Sequence, residues 1–246
     1  MRLNLFLGAS LATSSIAAPT LLRGLTNALS TLTEPIQDIK QLLDTSTTCD
    51  TSRISLPKSG FGLPVPDGQM PIYVAVGRGT QNYSCATSTS DSTPEAIGAV
   101  ANLYNVTCIA ASDPDMVATL PNTAYKIQSI NNYSSILRAA NVDLLGHHFF
   151  QGSTPVFNLD TTPSQQYGIA FTKVQKKVDA PSDAVQGDDG AVEWLYLSTI
   201  SGTVGDYKSV YRVNTAGGAA PKTCENMPSV IEVQYAANYY FYGEES

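Results

Sequence analysis

Two adjacent histidines, His147 and His148, are the side chains best suited to metal binding or proton transfer, and they are the only histidines of this sequence. Neighbouring side chains of a strand point to opposite faces, so both could bind one ion only if the strand ended or bulged beside Gly146. The other interpretation is that one histidine is buried and hydrogen-bonded while the other lies at the surface. We therefore predict no metal site and keep His147 and His148 as weak candidates.

Carboxylates form a second group, because a convergent pair would suggest a glycosidase. The carboxylates on or beside predicted strands are Asp143, Asp160, Glu193 and Glu232. Nothing in their spacing selects a pair, so a catalytic pair is not predicted. Asp143 and Asp160 are the acids nearest to the histidines in sequence, and Asp160 stays a candidate ligand-binding residue.

Aromatic side chains crowd the C-terminal part of the chain, where a platform on a sheet could stack against sugar rings or an apolar ligand. The set comprises Tyr207, Tyr211, Tyr235, Tyr239, Tyr240, Phe241 and Tyr242. Tyr235, Tyr239 and Phe241 share one parity of the strand alternation, so we expect about half of the set in a core. The sequence thus permits a binding surface without requiring one.

Motifs for cofactor and nucleophile chemistry are missing from the sequence. Gly77-Arg78-Gly79 follows a predicted strand, but position 82 is Asn82 where a dinucleotide-binding turn needs its third glycine. The chain also contains neither a Walker loop nor a G-x-S-x-G elbow. We therefore predict no cofactor and favour a non-enzymatic protein.

The composition is apolar and acidic, with 43% hydrophobic residues, 14% charged residues and a net charge of −7. Disordered chains combine low hydrophobicity with high charge, so the composition excludes that class. An acidic chain gains little from releasing the counterions of phosphates. We therefore expect no nucleic-acid partner and no attraction to anionic membrane surfaces.

Residues 1–18 have the three parts of a signal peptide: a positive charge at Arg2, an apolar run and small residues before a cleavage site. The apolar run is too short to cross a bilayer, so we predict no membrane span. The sequence also has three N-x-[ST] sequons, which predict glycosylation of outward-facing asparagines. They begin at Asn82, Asn105 and Asn132. We therefore expect a secreted protein, extracellular or associated with the cell wall.

A leucine-rich stripe follows the predicted signal peptide, with apolar residues at alternating spacings of three and four. Its members are Leu22, Leu25, Leu29, Leu32, Ile36, Ile39 and Leu43. This spacing predicts an amphipathic helical arm, interrupted at Pro35. The passage 46–71, rich in proline and glycine, is typical of a linker. We divide the chain into a signal peptide (1–18), the arm (19–48) and one domain (49–246).

The domain 49–246 alternates apolar and polar residues with the period of strands. We predict about ten short strands, at 72–77, 80–85, 99–108, 123–130, 146–150, 167–174, 191–199, 208–215, 229–236 and 238–243. Gly, Pro, Asn, Asp and Ser separate most of them, as in chains of short antiparallel strands. The pattern predicts an all-β fold, a single β-sandwich or barrel-like domain.

Several strings of the chain occur together in a known family. They are YVAVGRGTQNYSCA (73–86), GAVANLYNVTC (98–108), LGHHFFQGSTPVFNLD (145–160), AVEWLYLSTISG (191–202), SVYRVNTAGGAAPKTC (209–224) and VQYAANYYFYG (233–243). In this order they resemble a family of secreted fungal and bacterial proteins classed as domain of unknown function 3455. The resemblance covers residues 54–243 and implies an all-β fold, but no activity. Some fungal members carry an automatic malate dehydrogenase label, which the missing dinucleotide motif does not support.

The positions that recur in this family map onto Cys85, Gly146, His147, Trp194, Arg212, Asn214, Gly217, Gly218 and Cys224. The resemblance therefore implies His147, Trp194, Arg212 and Asn214 as ligand-binding candidates beside Asp160. We also expect His147 to be more constrained than His148, because it follows Gly146 and occupies a recurring position.

Four cysteines behind a predicted signal peptide, none in a C-x-x-C pair, favour two disulfides over a zinc site. We favour Cys85–Cys224 with Cys49–Cys108, since the resemblance places Cys85 and Cys224, among the four cysteines, in the core that the bacterial members share. The second bond would then tie the N-terminal passage to the sheet. The alternative, Cys85–Cys108 with Cys49–Cys224, would join two neighbouring strands.

Three hypotheses of function follow. The first is a secreted, non-enzymatic protein that binds cell-wall glycan or a small apolar ligand, favoured by the low charge, the sequons and the lack of a catalytic set. The second is a secreted enzyme, with or without a metal, that has its site near His147. The third is a structural protein that assembles through residues 20–45. The sequence does not indicate the oligomeric state.

We expect no binding of NAD and no oxidation of malate. A pyrophosphate is normally held by backbone N–H groups at a helix N-terminus after a glycine-rich turn, and residues 54–243 lack that motif. Calorimetry with NAD and an assay of malate turnover measure this directly. Micromolar NAD binding together with turnover would contradict the expectation.

Overall fold

The computed structural model describes residues 49–57, 62–127, 134 and 142–245. The predicted signal peptide (1–18), the predicted arm (19–48) and Asn132 lie outside these residues. None of the helices in the described ranges is long and apolar enough to cross a membrane.

In the described part of the chain, eight antiparallel strands form a closed barrel in which each strand pairs with the next and β8 returns to β1. The strands are β1 (Gln69–Ser84), β2 (Glu95–Asn105), β3 (Leu144–Gln151), β4 (Thr154–Thr162), β5 (Gln165–Val178), β6 (Trp194–Thr199), β7 (Tyr207–Gly217) and β8 (Val230–Glu244). Helices α1 (Thr107–Ser112) and α2 (Pro114–Lys126) lie between β2 and β3, and a 3-10 helix covers Thr51–Arg53. The all-β prediction is confirmed, and the architecture is a barrel, not a sandwich.

The prediction of about ten strands was too high for three physical reasons. The segments 72–77 and 80–85 are one strand, β1, because Gly77 and Gly79 continue the extended backbone. The segments 229–236 and 238–243 are likewise one strand, β8. The segment 123–130 overlaps the end of α2, whose first turn is capped by the Asp113 carboxylate at 2.9 Å from the Met116 amide. The alternation also missed β4.

The barrel interior is filled by large side chains that alternate along each strand. Tyr235, Tyr239 and Phe241 point inward from β8, where Phe157 of β4 meets both Tyr239 and Phe241 edge-on. Space is so limited that a Cβ at Gly77 would lie 2.6 Å from the Tyr239 ring. The described interior is therefore a packed core.

The outer wall of β1, β7 and β8 is covered by α2, which buries Val117, Leu120 and Ala124 against it. Arg78 of β1 points into this interface and is 1% exposed. Its guanidinium donates hydrogen bonds to the carbonyl oxygens of Ala124 at 3.1 Å, of Gly79 at 3.0 Å and of Tyr235 at 3.2 Å. Ala124 belongs to the last turn of α2, where carbonyl groups lack helical partners and the helix dipole favours a positive charge.

Gly79, the residue after Arg78, allows the backbones of β1 and β2 to approach closely. A Cβ at Gly79 would lie 1.8 Å from the Val100 carbonyl oxygen of β2. In the sequence Gly77-Arg78-Gly79, the first glycine therefore makes room for the Tyr239 ring inside the barrel, and the second makes room for the backbone of β2. Arg78, between them, faces outward to α2.

The structure joins Cys49 to Cys108 and Cys85 to Cys224, with Cα separations of 5.1 Å and 5.7 Å. Both separations lie in the range that a disulfide requires. This is the connectivity that the sequence analysis favoured. The first bond attaches the N-terminal passage to α1, and the second attaches the end of β1 to the loop before β8.

His148, not His147, is the histidine that the fold constrains. His148 points into the barrel, is 3% exposed and stacks on Phe157 with ring centroids 4.3 Å apart. Its Nδ1 lies 2.9 Å from the Val156 carbonyl oxygen, so this nitrogen carries the proton and donates. His147 is exposed on the outer wall. The sequence expectation was wrong in this respect, because the alternation of β3 and not the neighbouring glycine decides which side chain is buried.

Acid should destabilise the protein through His148. Its pKa is lowered from 6.5 to about 4, mainly by burial; the hydrogen bond to Val156 opposes this shift, and the nearby Arg212 charge adds to it. The unfolded chain therefore takes up this proton near pH 6.5 and the folded protein only near pH 4. The resulting stabilisation is complete above pH 6.5 and is lost as the pH falls toward 4, up to about 3 kcal/mol. Urea denaturation between pH 7 and pH 4 should show this loss.

The His148→Phe variant should lose less stability than wild type over the same pH range, because it has no proton to take up. His147→Phe, the matched control on the outer wall, should keep the wild-type dependence. Equal pH dependence in His148→Phe and wild type would contradict the assignment.

Proteolytic mapping without reductant should yield peptides that link Cys49 to Cys108 and Cys85 to Cys224, because only these pairs lie within bonding distance. Removing the second bond, with Cys85→Ser and Cys224→Ser together, should cost about 2–5 kcal/mol of unfolding free energy. A peptide linking Cys85 to Cys108 would refute this connectivity.

Candidate functional site

The five residues suggested as ligand-binding candidates do not converge. Trp194 lies on the outer wall in a surface cavity, whereas Arg212 lies inside the barrel. His147 is exposed on the outer wall of β3, and Asn214 sits in a bulge of β7. Asp160 accepts a hydrogen bond from the Gly168 amide at 2.6 Å in the β4–β5 hairpin. The structure therefore provides no single site that uses all five.

Arg212 organises the polar end of the barrel interior. Its Nε and Nη2 both donate to the Glu193 carbonyl oxygen, at 3.2 Å and 2.9 Å. The hydroxyls of Tyr235 and Tyr239 lie 2.8 Å apart nearby. Burial raises the pKa of both tyrosines, and the Arg212 charge opposes this shift. The Arg212 guanidinium thus binds the Glu193 carbonyl oxygen, and its charge acts on the buried hydroxyls of Tyr235 and Tyr239.

Asn214 has a structural role in seating α2. Its φ is 50°, and its Oδ1 accepts a hydrogen bond from Asn238 Nδ2 at 3.3 Å. The same Nδ2 donates to the Val117 carbonyl oxygen of α2 at 2.7 Å. Gly217, with φ of 63°, leaves room for the Tyr125 ring of α2, which a Cβ would approach to 2.2 Å. The NTAGG string of β7 therefore shapes the wall on which the helix rests.

His147 has only a modest polar environment. Its Nδ1 lies 3.0 Å from Asn102 Oδ1 of β2. No group of three or more potential metal-binding side chains occurs within the described ranges. Of the carboxylates considered above, Glu193 is paired with Lys177 at 2.8 Å on the surface.

A surface cavity of about 400 Å³ lies between the N-terminal passage and the barrel wall. We call it the Trp194 cavity. One side comes from Ser52 and from residues 54–57 and 63–66, and the other from the start of β1 and from β6, β7 and β8. The lining residues are Ser52, Ile54, Ser55, Leu56, Pro57, Leu63, Pro64, Val65, Pro66, Gln69, Pro71, Trp194, Val213 and Tyr242.

The wall of the Trp194 cavity is held in place by aromatic packing on the outer face. The rings of Tyr196 and Tyr211 have centroids 5.0 Å apart, and those of Tyr211 and Tyr242 5.5 Å apart. The aromatic set predicted from the sequence is thus divided between two faces. Tyr207, Tyr235, Tyr239 and Phe241 belong to the interior cluster, and Tyr211, Tyr240 and Tyr242 to the outer cluster.

Sequence reasoning missed the residues of the N-terminal passage that line this cavity, such as Ile54, Leu56 and Leu63. The passage was interpreted as a linker because of its proline and glycine content. Its apolar residues between the prolines were the available signal, since a solvated linker has no need of them.

Comparison with known families gives two matches. The profile of a family described as a protein of unknown function, DUF3455, matches residues 66–243, and that of a second, also described as a protein of unknown function, DUF2990, matches residues 9–64. The boundary between them falls within the lining of the Trp194 cavity. No curated protein matches the chain. No solved structure matches it either.

The DUF3455 match covers β1 to β7 and nearly all of β8, and so includes every strand of the barrel. It includes the GRG, GHH and NTAGG strings whose structural roles are described above. The resemblance inferred from the sequence is confirmed, and the chain belongs to the DUF3455 family.

Proposed function

We propose that this is a secreted, non-enzymatic protein that binds a small molecule in the Trp194 cavity. The observation that carries the proposal is the cavity itself. Its volume of about 400 Å³ falls in the range of ligand sites, and its walls are mostly apolar with few polar groups, as in such sites. The interior of the barrel is packed, so the outer cavity is the better candidate.

Secretion and glycosylation are part of the proposal. The signal-like residues 1–18 and the two cysteine pairs support an oxidising destination. Asn82 and Asn105 are both partly exposed, and each uses Oδ1 as an acceptor: from Thr80 Oγ1 at 2.9 Å and from the Thr107 amide at 3.0 Å. A glycan is attached through Nδ2, so these hydrogen bonds are compatible with glycosylation.

The non-enzymatic character is supported by the structural use of the reactive side chains. Arg212, Asn214 and His148 take part in holding the fold, as described above. A site near His147 would have Asn102 as its hydrogen-bonding neighbour. The third hypothesis, assembly through residues 20–45, concerns a segment outside the described residues and stays a prediction.

A neutral apolar dye, N-phenyl-1-naphthylamine, tests the proposal because the chain has a single tryptophan, Trp194, in the cavity wall. We expect saturable dye fluorescence and parallel quenching of Trp194 emission. Leu56→Phe, which fills part of the cavity, should weaken binding by ~10-fold or more, since ligand contacts are replaced by protein contacts.

Val204→Phe is the matched control, because Val204 is 58% exposed and is not part of the cavity lining. It should bind the dye as wild type does. Thermal melting of both variants reports whether they fold. The absence of saturable binding to wild type, or equal binding by a folded Leu56→Phe, would refute the proposed function.

A further inference from the structure

We infer that the ligand of the Trp194 cavity is an uncharged, mostly apolar ring compound that carries an oxygen acceptor, and not a glycan or an ion. This inference rests on the proposed function and adds the chemical class of the ligand. It depends on which groups the cavity offers, on their geometry and on the origin of its walls.

Among the residues that the structure describes, the lining contains no Asp, Glu, Lys, Arg or His. A charged ligand would therefore lose its water without gaining a counter-charge, and burying an unpaired charge is strongly unfavourable. Charge complementarity therefore selects a neutral molecule.

The shape of the lining favours rings. Trp194 and Tyr242 border the cavity on the barrel side, where 3% of each residue is exposed. Four proline rings line the same space: Pro57, Pro64, Pro66 and Pro71. Such rigid, flat side chains lose little conformational entropy on binding and match a flat, rigid partner.

The polar groups of the lining are few. Ser209 Oγ donates to Gln69 Oε1 at 2.6 Å, so the Gln69 amide has its Nε2 to offer to a ligand. Ser52 Oγ already donates to Asp50 at 2.6 Å. A sugar presents many hydroxyl groups that would need partners when buried, whereas one carbonyl or hydroxyl oxygen can be satisfied by the Gln69 amide.

The N-terminal passage contributes one wall, so it takes part in selecting the ligand. Residues 52–57 and 63–64 fall in the DUF2990 match, while Gln69, Trp194 and Tyr242 fall in the DUF3455 match. Ser55 is an exposed member of this wall and accepts a new side chain without disturbing the core. A charge introduced there should change the selectivity of the cavity.

Displacement of N-phenyl-1-naphthylamine by four competitors tests the inference. They are 1-naphthol, its anionic analogue 1-naphthoate, the cationic 1-naphthylmethylammonium, and cellobiose, all at pH 7. We expect 1-naphthol to compete at concentrations at least ~10-fold below those of the two ions. Cellobiose should not compete. An ion that competes as well as 1-naphthol, or competition by cellobiose, would overturn the inferred class.

Ser55→Lys should bring a counter-charge to the cavity and so raise the affinity for 1-naphthoate by ~10-fold or more, with little change for 1-naphthol. Ser201→Lys, at an exposed loop position outside the lining, should leave both affinities unchanged. Unchanged affinity of Ser55→Lys for 1-naphthoate would overturn the inferred location. If wild type does not bind the dye at all, the proposed function itself fails, which separates the two conclusions.

Discussion

The buried guanidinium of Arg78 is the interaction on which the outer half of the structure depends. It is enclosed between barrel and helix with three backbone carbonyl oxygens as acceptors, one each from β1, β8 and α2. A buried cation without such partners would be strongly destabilising, so these acceptors stabilise α2 in the position observed. With the helix in that position, the Arg78 guanidinium carbon lies over the Tyr125 ring, 5.9 Å from the ring centroid. The same ring packs against Gly217.

The helix and the N-terminal passage divide the outer wall between them. α2 covers the part of β1, β7 and β8 around Arg78 and Asn238, and the passage faces Trp194 and Tyr242. Helix and strands fit closely, because their contact is specified by glycines and buried hydrogen bonds. The passage meets the wall through prolines and short apolar side chains, which cannot interdigitate so well. The space left between them is the Trp194 cavity.

The all-β fold could be predicted from the sequence because strand alternation is a local property. The period-two pattern of Tyr235, Tyr239 and Phe241 identified an inner face of β8. The same pattern failed at 123–126, where a short apolar alternation ends a helix that begins at Pro114. It also failed for β4, in which Val156 and Phe157 are both 1% exposed although they point to opposite faces.

Of the candidate site, only Trp194 could be predicted as a ligand-binding residue, because the cavity is assembled from distant parts of the chain. Leu56 and Trp194 line the same space although they belong to different family matches. Asn214 and Gly217, which were expected to recur in the family, help to position α2 on the barrel. Trp194 is the one sequence-predicted ligand-binding candidate that lies in the cavity lining.

The order of the strands determines how the chain can fold. Every strand pairs with its neighbour in sequence except at the β1–β8 seam, which joins the two ends of the sheet. Most neighbouring pairs are joined by short loops, and β2 and β3 by the segment that carries α1 and α2. The seam requires a closure across most of the domain. Cys85 directly follows β1 and Cys224 precedes β8, and the Cys85 amide donates to the Ser229 carbonyl oxygen at 2.9 Å. If this pair is oxidised in the unfolded chain, the bond already holds the end of β1 near the start of β8, so the two strands no longer have to find each other across the domain. The rate of folding is then coupled to the redox state of the surroundings.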